Sequence, residues 1–501
     1  MRLEQMFYSS AEKFPEKTAV VCKDSRVSYR QVVQGMNRFR EYLESNTKPG
    51  DKILIVAHNS IEQLELMLAC FASDRVACPV NWRMSKQDLS EMLRDSPFSF
   101  CFYDEACGEL FVSARSQGQP ELQARKFEEI PAAEKPDYME AGTGEDSIAL
   151  QFFTSGSTGK PKCVPHSHGS LGRYAKVYSK VSGWSSEDIY ETQSNLFHLS
   201  GFSCLISLFV GSTLVLMDRF REEEFFQTME KEHCTRISLV PTLISKCLSS
   251  GAFHKYDFTS VRKIVYGGSA LPLAQVKRTL AECACSLEQA YGTTETCNIS
   301  VLSGEDHIRA VNGEGPKTLL ESVGKPIPGV EVRILDEDGN QVKEGPGEVA
   351  VRSPFLSQQL HKVRGEAFAA DGFYRTGDIG RMDSEGYLYL IDRKNDMIVS
   401  GGENIYPREV ENCISHLVED VSMVVVIGVP DPYWGEKVVA FVVRHPGSNI
   451  TEKEIIDFCR GQIASYKKPR RVIFLDRIPL NTNGKMSRKL MKKIYASQYA
   501  D

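Results

Sequence analysis

The sequence predicts an α/β protein: a large N-terminal domain of sheets with flanking helices, followed by a small α+β C-terminal domain. Three observations predict it. Near the start, short apolar runs alternate with amphipathic stretches, which is the pattern of parallel strands joined by helices. At 501 residues the chain is too long for one ordinary core. Beyond the five consecutive polar residues Asp392-Arg393-Lys394-Asn395-Asp396 the texture changes, and roughly a hundred residues of mixed α+β character follow, enough for a small domain.

Strands are expected at Thr18 to Cys22, Lys52 to Ala57 and Val76 to Pro79, with helices starting at Ser28 and Ser60. Each serine has a glutamine three residues on, Gln31 and Gln63, so each is expected to close a capping box. Val32, Met36, Phe39 and Leu43 fall on one face of the first helix. Thr192 to Met217 is long and uncharged apart from His198, but Ser200, Ser203, Ser207, Ser212 and Thr213 interrupt it. It is read as a buried helix, a turn at Gly211 and a strand Leu214 to Met217, not as a membrane span. In the C-terminal part, strands are expected at Val421 to Val429, Val438 to Val443 and Val472 to Leu475, and Thr451 with Glu454 opens a capped helix. The expected domains are 1–392, a hinge at 393–396, and 397–501.

Composition excludes several classes. Charged residues make up 25%, both signs are interspersed and the net charge is −6, so no basic face points to nucleic acid or anionic lipid. The fourteen cysteines are scattered with no CxxC pair, which speaks against a zinc framework or a disulfide scaffold. The N-terminal MRLEQMFYSSAEKF lacks the apolar core of a signal peptide, so a cytoplasmic location is expected.

The strongest local signal is Phe152 to Lys162, FFTSGSTGKPK. A strand end followed by Gly, Ser, Thr and Lys can bring backbone amides and hydroxyls onto phosphate oxygens, because Gly156 and Gly159 permit the necessary turns. It is not a Walker A loop: the spacing is too short, and Pro161 blocks the helix that should follow.

FFTSGSTGKPK, Tyr291-Gly292-Thr293-Thr294-Glu295, Tyr374-Arg375-Thr376-Gly377-Asp378, Asp392-Arg393, Ser400-Gly401-Gly402-Glu403-Asn404-Ile405 and Gly484-Lys485 stand in one order along the chain. Together they resemble the motifs of the adenylate-forming superfamily, which contains acyl- and aryl-CoA synthetases, luciferases and nonribosomal peptide synthetase adenylation domains. The resemblance covers essentially the whole chain. It is strongest to acyl- and aryl-CoA ligases of the 4-chlorobenzoate type.

The resemblance implies an ATP-dependent carboxylic acid:CoA ligase that makes acyl-CoA, AMP and pyrophosphate through an acyl-adenylate. It also implies ATP, Mg²⁺ and coenzyme A as cofactor and co-substrates. Thr154, Ser155, Gly156, Ser157, Thr158, Gly159 and Lys160 would hold the phosphates, with Gly268, Ser269, Tyr291, Gly292, Thr293 and Thr294 around the nucleotide. Glu295 with Thr154 would hold Mg²⁺, Asp378 the ribose hydroxyls, and Arg393 the ribose and phosphate. Lys485 would neutralise charge building between the carboxylate and the α-phosphate. By the same likeness a swing about Asn395 or Asp396 brings up Gly401 and Gly402 for the pantetheine arm, with Lys468 and Arg470 for the phosphates of CoA. Asn395 departs mildly from the Asp or Lys usual there.

Asn195 to Phe202 resembles the histidine motif of acyl and aryl ligases, with His198 lining the acyl pocket beside Phe202, Val240, Tyr266, Gly267, Gly268 and Thr296. No acidic residue occurs between Glu191 and Asp218 to meet an α-ammonium, so the expected acid lacks an amino group, whether aryl or short to medium aliphatic. Two rivals stand beside this reading: an enzyme that loads a carrier-protein phosphopantetheine, and a nucleotide-binding protein without turnover. No carrier domain is expected, since only residues 486–501 follow the lysine.

Overall fold

A computed structural model of the protein describes residues 1–499 except 141, 143, 156–160, 269–270, 272, 317, 343, 364, 370 and 480–485. Its contacts group the chain into two compact units: Met1–Ala270, Lys277–Glu331 and Val351–Phe373 in one, and Leu271–Val276, Val332–Ala350 and Tyr374–Asp501 in the other. This grouping is by contact and is not cut at the 392/393 line expected from sequence. The division into 1–392, 393–396 and 397–501 concerns motion, and is taken up below as a proposal.

The first unit holds two large sheets. A nine-stranded sheet runs in spatial order Lys325–Pro326, Cys297–Leu302, Ser286–Thr293, Lys263–Gly267, Arg236–Ser238, Ile189–Thr192, Thr213–Leu216, Thr18–Cys22, Ser25–Ser28. Its six inner strands, from Ser286–Thr293 to Thr18–Cys22, are parallel to one another, and the strands flanking this set pair antiparallel. The six-stranded sheet is ordered Ala124–Lys126, Phe100–Tyr103, Lys52–Val56, Val76–Pro79, Ile148–Ser155, Pro161–Ser167, parallel except for the last hairpin. Parallel strands buried on both faces read as continuous apolar runs, which is why Thr18–Cys22 and Val76–Pro79 are found where the sequence put them.

Local signals were mostly decisive. Ser28 caps Tyr29–Asn46 with both halves of its box, and Val32, Met36, Phe39 and Leu43 are buried. At Ile61–Ala72 only half of the expected box forms. Ser60 accepts from the Gln63 amide, but the Gln63 side chain is fully buried with no hydrogen-bond partner, because the helix faces the core where the glutamine should turn back. The uncharged stretch resolves into the buried helix Phe202–Phe209 and the strand Thr213–Leu216, joined through Gly211 at φ 82°. No helix among the described residues is long and apolar enough to cross a membrane.

The second unit contains most of a four-stranded sheet, Glu331–Leu335, Gly347–Arg352, Tyr374–Met382 and Leu388–Arg393, and a five-stranded sheet built on Val421–Asp431 and Gly435–Arg444. Alternation along Val421–Asp431 feeds two cores: Val424 and Val426 pack with Val410 and Ile455 on one face, Val425 and Ile427 with Met491 and Tyr495 on the other. Thr451 and Glu454 form their capping box. The polar residues Asp392 and Arg393 belong to the strand Leu388–Arg393, where Arg393 pairs with Asp378 across the ladder.

Candidate active site

The sheet topology collects the candidate residues of the first unit. His198 follows Ile189–Thr192, Val240 follows Arg236–Ser238, Gly268 follows Lys263–Gly267, and Thr294 to Thr296 follow Ser286–Thr293. These four strands are consecutive neighbours and parallel, so the segments leave one carboxyl edge side by side. Such an edge is where open α/β sheets bind ligands.

Two glycines are dictated by close approach. A Cβ on Gly292 would lie 1.9 Å from the Cys297 carbonyl oxygen, and one on Gly267 would lie 2.5 Å from that of Ala290. The turn between Ser286–Thr293 and Cys297–Leu302 is closed by Thr296: its hydroxyl accepts from the Thr293 amide at 3.1 Å and donates to the Cys297 carbonyl at 2.9 Å. Glu295 is thereby carried half-buried on a short, fixed turn. Tyr266 is buried; its hydroxyl donates to Nε2 of buried His307 at 3.0 Å, while His307 Nδ1 donates to the Ser303 carbonyl at 2.7 Å. Phe202 is buried against Tyr174 and Phe209, and His198, half-buried, sits edge-on to Phe197 with centroids 4.4 Å apart. Val240 is 38% exposed at the start of a helix whose first residue is Pro241.

The phosphate-loop sequence is flanked by the antiparallel strands Ile148–Ser155 and Pro161–Ser167, with Thr154 paired to Lys162. Gly156 to Lys160 lie outside the described residues, as do Ser269 and Lys485. One residue that the sequence reading did not single out ties this hairpin to the neighbouring sheet. His166, fully buried, lies 2.8 Å through Nε2 from the carbonyl of Thr294. A carbonyl only accepts, so the proton is on Nε2. Burial, opposed by that bond, holds the imidazole neutral with its pKa pushed down to about 4. The bond sets the Glu295 turn against the hairpin that carries Thr154. These two side chains offer oxygen ligands only, the set that suits Mg²⁺.

In the second unit Asp378 and Arg393 come together: Nε of Arg393 lies 2.6 Å from Oδ1 of the buried Asp378 carboxylate. The segment Lys394–Asp396 is a single 3₁₀ turn with Asn395 exposed. Arg488 reaches Asp396 at 3.1 Å, Asp392 at 3.2 Å and Glu411 at 2.7 Å. Gly401 (φ 62°) donates its amide to the Trp434 carbonyl at 2.8 Å, and a Cβ there would meet the indole at 2.9 Å. The Arg470 guanidinium lies over the same indole at 4.4 Å, and Tyr433 beside it is 81% exposed. Lys468 donates to the Ser465 carbonyl, and its pKa is lowered by burial and by Arg470 nearby. Trp434 was thus missed from sequence; its only signal is the Asp-Pro-Tyr-Trp-Gly turn from Asp431 to Gly435.

A Gly/Ser/Thr/Lys loop between paired strands, a carboxyl sheet edge of the kind that binds ligands, and a smaller unit with a carboxylate–guanidinium pair and a glycine–indole contact fit an adenylate-forming enzyme. The sequence profile of the AMP-binding enzyme family matches residues 7–360, and that of the AMP-binding enzyme C-terminal domain matches residues 409–485. The chain belongs to this family. It is 31% identical to a fatty acid–[acyl-carrier-protein] ligase of Streptomyces coeruleorubidus, with 96% of this chain and 94% of that one covered. It is 30% identical to the indoleacetate–CoA ligase of Aromatoleum aromaticum, over 99% and 98%. Among solved structures it is similar to the o-succinylbenzoate CoA synthetase of Bacillus subtilis in complex with its acyl-adenylate, with a TM-score of 0.84, 30% identity and 97% of each chain covered.

Proposed function

We infer that this protein is an ATP-dependent carboxylic acid:CoA ligase of the AMP-forming type. The observation that carries the reading is the shared carboxyl edge at which the His198, Val240, Gly268 and Glu295 segments emerge, with the phosphate hairpin held to the last of them by His166. A carboxylate is a poor acyl donor until its oxygen becomes a phosphate ester. The hairpin amides and Lys485 would neutralise the phosphate charge as that ester forms. Mg²⁺, held by Glu295 and Thr154, would supply further neutralisation. Asp378, oriented by Arg393, accepts from the ribose hydroxyls present in both ATP and the adenylate. Gly401, Gly402 and Trp434 would present a surface to the pantetheine thiol, with Arg470 and Lys468 facing the phosphates of CoA. Alternation about residues 393–396 exchanges Lys485 for this surface between the half-reactions.

For the acid, neither residue flanking the His198 segment supplies a counter-charge for an ammonium. Burial pushes the Glu191 carboxyl well above the usual carboxylate range, and Asp218 is paired with Arg221 at 3.4 Å. An aryl or short to medium aliphatic acid without an amino group is therefore the proposed substrate, in keeping with the indoleacetate and succinylbenzoate ligases it resembles. The acyl-carrier-protein ligase among the relatives makes a carrier phosphopantetheine the second candidate acceptor. A cytoplasmic location is proposed because all fourteen cysteines are free thiols.

A panel of acids scored by pyrophosphate release, with CoA or a phosphopantetheinylated carrier supplied, tests the reading. Thioester with CoA for an aryl or aliphatic acid supports it. Thioester on the carrier alone favours the second acceptor, and ATP binding without pyrophosphate release from any acid overturns both.

A further inference from the structure

A second constellation lies on the same unit, in the six-stranded sheet, and the reaction above does not use it. Strands Lys52–Val56 and Phe100–Tyr103 are parallel neighbours with Val56 opposite Tyr103. Their carboxyl ends therefore release His58 and Asp104 side by side. Asp104 then caps the 3₁₀ turn Glu105–Cys107, which folds Cys107 back onto the same point. Nδ1 of His58 is 2.7 Å from Oδ2 of Asp104 and 3.8 Å from Sγ of Cys107, and the three donor atoms all lie within 4.8 Å of one another.

The three side chains are held from behind. Asp104 accepts from the His58 amide through Oδ2 and from the Cys107 amide through Oδ1, both at 2.8 Å. Each carboxylate oxygen has two lone pairs, so the amides leave capacity on the side facing His58 and Cys107. The Trp82 ring lies on the imidazole with centroids 4.1 Å apart and fixes its plane. Cys107 is 3% exposed and backed by Leu54, Phe111 and other apolar side chains, whereas His58 and Asp104 are about a quarter exposed. Three donors are thus oriented by backbone and ring contacts around one point that solvent can reach.

We propose that His58, Asp104 and Cys107 form a binding site for a borderline divalent transition-metal ion of the zinc class. Sulfur, nitrogen and oxygen donors together suit such an ion and disfavour Mg²⁺. Tetrahedral bonds of the usual lengths put sulfur and nitrogen roughly 3.5 Å apart, close to the separation present, and nitrogen and oxygen roughly 3.3 Å apart. The His58–Asp104 pair therefore opens by about half an ångström, and water completes the coordination. On binding, the Cys107 thiol releases its proton to solvent, and the imidazole proton moves from Nδ1 to Nε2. Without a metal the three residues are a plain loop clasp, which is the competing account.

One equivalent of Co²⁺ added to the reduced, full-length protein distinguishes them. The site gives a near-ultraviolet thiolate-to-cobalt band with visible bands of tetrahedral intensity, and one equivalent of Zn²⁺ abolishes both while millimolar Mg²⁺ does not. Cys107→Ser removes the thiolate band. His58→Gln weakens Zn²⁺ binding by about 100-fold or more, since losing a direct ligand costs at least as much as the 10–100-fold typical of an outer-shell change. Circular dichroism of both variants checks that the fold is intact. Absence of a thiolate band overturns the proposal. So does a band that survives Cys107→Ser and disappears in Cys283→Ser/Cys285→Ser, which would place the ion on that adjacent thiol pair, 2.9 Å apart.

Discussion

Arg393 and Asp378 face each other across two antiparallel strands, as register partners joined by a 2.6 Å contact between Nε and Oδ1. The carboxylate is buried and the guanidinium 58% exposed, so the pair positions Asp378 more than it stabilises the sheet. Asp378→Ala is expected to weaken ATP binding by roughly 1.5–3 kcal/mol, the scale of hydrogen bonds to a charged group. If Arg393 acts largely by aiming that carboxylate, Asp378→Ala/Arg393→Ala will cost little more than Asp378→Ala alone. Calorimetric titration of the four proteins with ATP checks this, and full additivity would give Arg393 an independent phosphate contact.

The His166 imidazole hydrogen-bonds a residue 128 positions away, and that bond joins the two sheets of its unit. His166→Phe keeps the bulk and loses the bond, and is expected to lower kcat/KM for pyrophosphate release about tenfold, roughly 1.4 kcal/mol. His166→Gln restores a donor near Nε2 and should recover most of it. Because its folded pKa is depressed to about 4, the stability His166 contributes is present above about 6.5 and lost as pH falls through 4. Thermal midpoints of His166→Gln should accordingly fall less steeply than those of the parent between pH 6.5 and 4.

What the sequence made legible was local. Ser28 with Gln31, Thr451 with Glu454 and the apolar run Thr18–Cys22 need only near neighbours, and all three appear as read. Arg393 opens the polar run read as a hinge, and its place in a strand shows only once its partner on the next strand is known. Gln63 failed for the converse reason: its box was locally correct, but burial of the helix overrode it. His166 and Trp434 act through contacts set by sheet order and by a hairpin closing on Gly401, which no window of sequence contains. The motif residues Asp378 and Arg393 were found separately, and only the fold makes them one group.

Glu65 offers a test of the core in the opposite direction of pH. It is buried on the helix Ile61–Ala72, with Gly35 packed against its carboxylate and Arg38 at 3.5 Å. Burial, partly offset by Arg38, raises its pKa to about 8. For a raised carboxyl, stability is complete below the unfolded value near 4.5 and is lost as pH rises through 8. Glu65→Gln should therefore stabilise the protein by an amount that grows between pH 5 and 8. A constant difference in denaturant midpoint across that range would show that Glu65 does not titrate as described.

Lys485 lies outside the described residues, and its assigned role rests on the Gly484-Lys485 motif within the matched C-terminal family region. Lys485→Ala is expected to reduce adenylation by at least about a hundredfold, the scale for losing one charge-stabilising donor. Thioester formation from supplied acyl-adenylate should be largely retained, because the lysine serves only one of the two arrangements. Pyrophosphate release and thioester yield, measured separately, decide it. Equal loss in both half-reactions would make the lysine structural or shared.

The hinge is the sharpest test of alternation. Asn395 is exposed in the 3₁₀ turn Lys394–Asp396, whereas Asp396 is tied to Arg488 at 3.1 Å, so the side chain at 395 is dispensable in a way that the one at 396 is not. A residue that absorbs a backbone change should tolerate loss of its side chain but not of torsional freedom. Asn395→Ala is therefore expected to be mild. Asn395→Pro fixes φ near −65°, a value compatible with a 3₁₀ turn, and should hold one arrangement. Adenylation should persist, while CoA thioester formation drops by at least about a hundredfold, roughly 2.7 kcal/mol of barrier. Asp396→Pro is the second variant, since the neighbouring torsion can carry the same change. Parental thioester rates in both folded proline variants, measured beside adenylation in the same preparations, would remove the hinge from residues 393–396.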